Sequence, residues 1–355
     1  MRSIGWLATA IVGLVGCTST PSEPPAAGST GEPGSSSGGA SSSSSGGDSA
    51  SEDSSGGVAA VDVRLDQLQA EGSHNSYHVP LENAPPIWQY ELPLLVDQLE
   101  EHGVRQFELD VHWEPEGWFS VYHVPGLDEG TSCATFVECL ESIEQWSSAN
   151  PQHHLLFILV EPKDDIDVET IVGHYGELEQ EILSVWPRDR VLAPADVQGE
   201  HPSLRDAVLS GGWPTVDQTR GMVMFVLFDR EVHRDEYVGD GSDVSSVLMF
   251  PSSDEERPDG AFIKLDDPVA DGERIREAVA QGFIVRTRAD AEVLSPNAGD
   301  YPRLEAALES GAQLVSTDYP DVEGEYWVEM PGGTPSRCNP VTAPPGCMSE
   351  HVEAL

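Results

Sequence analysis

Eight short apolar runs recur between residues 65 and 316, and helix-like stretches separate most of them. The strand candidates are Leu65–Glu71, Val104–His112, Phe119–Val124, Leu155–Glu161, Met222–Phe228, Ala261–Leu265, Phe283–Arg286 and Gln313–Ser316. Most are rich in Val, Ile, Leu and Phe, the composition of strands buried on both faces. The helix candidates are Leu92–His102, Phe136–Ala149, Val168–Trp186, Leu204–Leu209, Asp271–Gln281 and Pro302–Ser310. Pro302 suits a first helical position, where its missing N–H costs nothing. Gly103, Gly282 and Gly311 stand where helices end. The repeated order of strand then helix predicts an α/β fold with a parallel sheet. A span of roughly 300 residues predicts closure into a TIM-type (β/α)8 barrel, regular or distorted. Asp229–Gly260 is acidic and poor in apolar residues and reads as a long loop or insertion. The Pro-rich tail after Tyr326 reads as an irregular appendix.

The chain upstream of the barrel has a different character. Arg2 is followed by an apolar run, Ile4–Val15, too short to span a bilayer. The run ends in Leu14-Val15-Gly16-Cys17, which resembles the bacterial lipobox. That resemblance makes residues 1–16 a lipoprotein signal peptide and Cys17 the lipidated N-terminus. Thr18, rather than Asp, then favours the outer membrane or cell surface. The competing reading is an ordinary secretory signal. Pro21–Gly57 is nearly all Ser, Gly, Pro and Ala and cannot bury enough apolar surface to fold. As a coil it reaches about 35 Å. The expected organisation is therefore a signal at 1–16, a lipidated Cys and linker at 17–57, and a globular barrel head at 58–355. The expected location is the bacterial cell envelope, with an exported, membrane-anchored, monomeric protein.

The net charge is −44, from 18 Lys+Arg against 62 Asp+Glu. This excludes nucleic acid as a partner, because phosphates need basic neutralisation. It also opposes electrostatic docking on anionic lipid. An anionic substrate would need a bound cation to supply the attraction. In an exported protein, local pairing of Cys133 with Cys139 and of Cys338 with Cys347 is the simplest of three connectivities.

The chemistry-bearing residues gather at strand ends. Glu108 and Asp110 are two apart and share a face of their strand. Two carboxylates on a buried strand lose hydration and repel, so a divalent cation is the expected compensation. Six apolar residues, Leu155–Val160, run directly into Glu161. That places Glu161 at the C-terminal end of a strand, where barrels keep catalytic groups. Lys163 lies two further on. Gly72-Ser73-His74-Asn75 follows the first strand candidate, and His123 follows another. Histidines serve as acid and base near neutral pH, and an Asn oxygen is a hard ligand. Oxygen ligands favour Ca2+ or Mg2+ over Zn2+. Arg286 and Arg288 share a face at a late strand end, where guanidinium suits bidentate phosphate contact. Lys264 is a similar candidate, and ion pairs with local acids are the alternative for all of them. Asp318 is either a partner for such groups or structural. His153 and His154 read as surface residues, and Arg105 as the partner of an acid. Trp88, Trp113, Trp118 and Trp213 either rim a mouth or pack.

The ordered set His74-Asn75, Glu108-x-Asp110, His123 and Glu161 resembles the Ca2+-dependent phosphoinositide-specific phospholipases C. The thirteen-residue separation of Asp110 and His123 matches that family's spacing. The stretches GSHNSYH, GVRQFELDVH, VYHVPGLDEGTSC, LVEPKD, KLDDP, FIVRTRAD and GAQLVSTDYP resemble its secreted bacterial branch. The resemblance runs from about Leu65 to Pro320. It implies a TIM-type barrel, bound Ca2+, and cleavage of phosphatidylinositol or a related inositol phosphodiester. It assigns Asn75, Glu108, Asp110 and Glu161 as Ca2+ ligands and His74 and His123 as the catalytic pair. Diacylglycerol and a cyclic inositol phosphate are the implied first products. Lys163, Lys264, Arg286 and Arg288 are the candidates for substrate contact.

Other readings stay open at this stage. Glycerophosphodiesterases on the same barrel resemble a His-Arg opening, and Asn75 stands in the Arg place here. A sphingomyelinase-D-like enzyme is a more distant rival. A surface lipoprotein that binds Ca2+ or inositol phosphates without turnover is a rival of another class.

Overall fold

The computed structural model describes residues 61–164, 170–229, 231–291, 301–320, 326–333 and 335–353. Cys17, the signal and the linker lie outside the described residues. Residues 58–355 form one compact unit. The strands are β1 (Leu68–Ser73), β2 (Gln106–Glu114), β3 (Trp118–Val121), β4 (Leu156–Pro162), β5 (Val191–Leu192), β6 (Val223–Leu227), β7 (Phe250–Pro251), β8 (Phe262–Lys264), β9 (Ile284–Arg288), β10 (Leu314–Thr317) and β11 (Ser336–Cys338). The helices are α1 (Leu95–Glu100), α2 (Phe136–Ala149), α3 (Tyr175–Val185), α4 (Pro194–Gln198), α5 (Leu204–Leu209), α6 (Val232–Val238), α7 (Gly272–Ala280), α8 (Tyr301–Ser310) and α9 (Ser349–Val352). Among the described residues no helix is long and apolar enough to cross a membrane.

Parallel pairing runs β6-β4-β2-β1-β10-β9-β8. Two short strands share the free edge of β6: β5 at Val191↔Val223 and β7 at Val226↔Phe250. A parallel bridge, Ser252↔Phe262, joins the β7 end to β8 and closes the ring. The result is a distorted TIM barrel. Alternation splits each strand between two apolar clusters. Leu156, Ile158 and Val160 pack outward against α2 and α3 with Ile143 and Ile182, while Phe157 and Leu159 pack inward with Met224 and Val226. Helix α2 begins where the sequence places it, because Thr135 caps the Glu138 N–H and Glu138 reaches back in a capping box.

The wall is thinnest between β1 and β2. They pair only at Gly72↔Gln106. A Cβ on Gly72 would lie 2.0 Å from Gln106 Oε1, so no larger residue allows this approach. Below that point β11 pairs antiparallel with β1, at Leu68↔Cys338.

Several expectations need correction. Phe119–Val124 supplies β3, an antiparallel hairpin partner of β2 and not a wall strand. Asp229–Gly260 is no featureless loop, since it holds α6 and the wall strand β7, the latter too short to show a period. The tail contributes β11 and α9. Helix α3 starts at Tyr175, seven residues late, because Gly173 turns with φ +94°. His153 and His154 are buried rather than surface residues, because the tail folds over them. Trp213 is core, donating to the Gly282 carbonyl at 2.8 Å. Cys133–Cys139 and Cys338–Cys347 are disulfides.

Candidate active site

The strand register assembles the acidic centre. Asp110 on β2 lies directly across from Glu161 on β4. Glu108 sits one inward position below. Glu108, Asp110 and Glu161 each offer an oxygen within 4.8 Å of the others. Asp110 is fully buried, and its Oδ2 lies 3.0 Å from the Lys163 ammonium. A buried carboxylate beside two further acids suits a hard divalent cation.

The turn after β1 is stitched to the same place. Ser76 N–H donates to the Glu108 carbonyl at 2.9 Å, and Glu108 N–H donates to Ser76 Oγ at 2.8 Å. Asn75 is the one non-glycine residue with positive φ among the described residues, at +47°. Asn tolerates that conformation better than most residues. Its Nδ2 donates to Tyr90 OH at 3.3 Å.

Basic groups surround the acids. Lys163 Nζ lies 3.0 Å from Asp110 Oδ2 and 2.9 Å from Glu161 Oε1. Lys264 Nζ is 3.5 Å from Glu161 Oε2 and 3.9 Å from the Phe228 ring centre. Arg286, fully buried, pairs with Glu108 at 2.5 Å and with Asp266. Arg288 pairs with Asp318 at 2.9 Å. Burial pushes the Glu108 carboxyl up to about 8, against the pull of Arg286. Burial also raises Asp110, against Lys163. Burial would raise Glu161 as well, but Lys163 and Lys264 outweigh it and hold that carboxyl well below the usual range.

Two histidines flank this centre, each held by an aspartate. His74 Nδ1 lies 2.7 Å from Asp318 Oδ1, and its Nε2 lies 3.8 Å from Glu108 Oε1. Burial first, then Arg288 and Arg286, lowers the His74 pKa well below its usual value. His123 Nδ1 lies 2.8 Å from Asp128 Oδ2. Asp128 also meets His78 Nε2 at 3.0 Å. Burial opposes its ionisation, yet hydrogen bonds from His123 and His78 hold its pKa low. An aspartate on Nδ1 orients each ring and fixes its tautomer.

Every residue singled out for this site in the head lies in this one mouth. The sequence reading missed Asp128 and Asp266 and gave His78 no role. The only sequence trace of Asp128 is its place five residues after His123, in a loop. Asp318, which the sequence leaves open between a partner and a structural role, lies on His74. His112 lies just behind, its Nε2 2.8 Å from the Tyr122 carbonyl.

The sequence model described as Phosphoinositide phospholipase C, Ca2+-dependent, matches residues 118–340, more than half of the chain. No curated protein matches. The fold is similar to the calcium-dependent phosphoinositol-specific phospholipase C of a Gram-negative Pseudomonas sp. in its myoinositol complex. The identity is 15 %, covering 78 % of this chain and 96 % of that one, with a TM-score of 0.57. It is also similar to the Ca2+-dependent phosphatidylinositol-specific phospholipase C of Streptomyces antibioticus. Here the identity is 19 %, covering 73 % of this chain and 95 % of that one, with a TM-score of 0.54. At such identities the structural likeness speaks for the fold, and the sequence match, which spans His123, Glu161 and Arg286, speaks for the family. The chain belongs to the Ca2+-dependent phosphoinositide phospholipase C family of enzymes.

Proposed function

We propose that the enzyme cleaves phosphatidylinositol, or a related inositol phosphodiester, by paired histidine acid–base catalysis. The observation that carries this reading is the pair of aspartate-held imidazoles, His74 on Asp318 and His123 on Asp128, flanking one acidic cluster. Cleavage needs a base for the inositol hydroxyl and an acid for the diacylglycerol oxygen. One imidazole takes the hydroxyl proton at Nε2 as that oxygen attacks phosphorus. The other donates its proton to the departing oxygen. The products are diacylglycerol and a cyclic inositol phosphate. Asn75, Glu108, Asp110 and Glu161 are the residues that would hold Ca2+. When bound, the ion supplies Lewis-acid stabilisation of phosphoryl charge. Lys163, Lys264, Arg286 and Arg288 are the cationic groups placed to orient the phosphodiester.

The lipobox-like run places Cys17 as a lipid anchor in the bacterial envelope, with residues 17–57 as tether to a monomeric head. An anchor answers the charge problem, because a protein of −44 gains little from electrostatic attraction to lipid. The test mixes the protein with phosphatidylinositol micelles and follows phosphorus NMR with Ca2+ and with excess chelator. A Ca2+-dependent cyclic inositol phosphate, lost in His74→Ala and His123→Ala, supports the reading. Absence of turnover alongside measurable Ca2+ binding overturns it for this lipid.

A further inference from the structure

The barrel has a second cavity, of 790 Å³, away from the catalytic mouth. It opens at the N-terminal side of the strands, where β1 and β2 part and the tail fills the gap. Its walls come from the end of α1, the end of α2, the turn before β4 and the tail. Glu350 and Glu353 lie beyond residue 340, where the family match ends.

The lining is strongly acidic. Glu71, Glu100, Glu101, Glu329, Glu350 and Glu353 face Arg105 and Arg220. Both guanidiniums are already engaged. Arg105 pairs with Glu353 at 2.5 Å, and Arg220 pairs with Asp217 at 2.8 Å and donates to the Gln152 carbonyl. Two further groups on the wall are unpartnered, and both side chains are more than nine-tenths buried. Glu71 Oε1 accepts no hydrogen bond, and the Trp146 indole Nε1 donates none. Burial, with Glu329 and Asp290 nearby, raises the Glu71 pKa well above its usual value. The Trp146 face is taken, with the Arg105 guanidinium 4.9 Å from its ring centre. Its N–H edge is what remains.

A cationic donor would hold Glu71 in its ionised form, and an acceptor would satisfy the indole N–H. An inorganic cation or a plain polyamine meets the first need and not the second. We propose that this cavity is a second binding site, for a hydroxylated primary ammonium such as an amino sugar. A volume of 790 Å³ is ample for a single sugar ring. The proposal does not depend on the chemistry assigned to the catalytic mouth.

The test uses the purified protein labelled with nitrogen-15, its indole signal assigned through Trp146→Phe. Glucosamine is the probe, with N-acetylglucosamine and spermidine as controls. The expected result is a saturable shift of the Trp146 indole signal with glucosamine and none with either control. Glu71→Gln, nearly isosteric, is expected to weaken glucosamine binding about tenfold or more while phospholipase activity stays unchanged. An unmoved Trp146 signal, an equal shift with either control, or unaltered affinity in Glu71→Gln overturns the proposal. The comparison of probes on the unsubstituted protein holds even if a variant fails to fold.

Discussion

Lys163 and Glu161 lie two apart at the end of one strand, and the ammonium nitrogen of the first is 2.9 Å from Oε1 of the second. Lys163 therefore stands among the carboxylates that would hold a metal, as their internal counter-ion. Removing its charge leaves the acids less compensated. Lys163→Met is expected to tighten Ca2+ binding by about tenfold, the scale of one nearby charge in a partly screened site. Turnover is expected to fall in the same variant, since the proposed phosphate contact is lost. Calorimetric Ca2+ titration beside a steady-state assay checks both, and weaker binding would show that Lys163 does not compete.

The two imidazoles and their aspartates should differ in weight. His74→Ala and His123→Ala are each expected to lower kcat by about 10²–10⁴-fold. Asp318→Asn and Asp128→Asn leave the rings present and unheld, so their losses should be smaller. Circular dichroism on the four variants separates lost chemistry from lost fold. An aspartate variant more damaged than its histidine would contradict the positioning role.

Arg105 and Glu353 tie the tail to the start of β2 through a buried pair. Breaking a buried pair strands a charge. Arg105→Ala is expected to cost about 3–5 kcal/mol, measured by urea unfolding. The apolar double replacement Arg105→Met with Glu353→Leu should recover most of that loss.

Acid lability should have a definite source outside the catalytic mouth. Burial lowers His154, and likewise His153, to about 4. An unfolded histidine titrates near 6.5. Between these values the unfolded chain holds more protons than the native one. The stability is therefore whole above about pH 6.5 and is lost as pH falls toward 4, by on the order of 2–3 kcal/mol for His154. His154→Asn should flatten the urea-unfolding midpoint between pH 7 and pH 5 relative to the unsubstituted protein. An unchanged slope would remove His154 from the account.

How much was readable in advance depended on how local the signal was. Leu156–Val160 announced β4 by its unbroken apolar run. Glu108 and Asp110 were legible as one face because a strand alternates. Their approach to Glu161 depends on register between strands, which no local pattern states. Asp128 and Asp266 stayed invisible because an acid in a loop shows its role only by what it touches. His153 and His154 misled for the same reason, since the residues that bury them, Ser336 and Glu353, lie at the far end of the chain. Strand β7 was too short, at two residues, to show any period.

The barrel's first strand makes both of its longer pairings, with β10 and β11, to the last part of the chain, and meets β2 at one pair. During synthesis β1 emerges first and waits for partners made last. Closing so long a loop is entropically slow, and an unmatched strand edge invites aggregation meanwhile. The same arrangement makes the seam between β1 and its late partners the step that turns an open sheet into a ring.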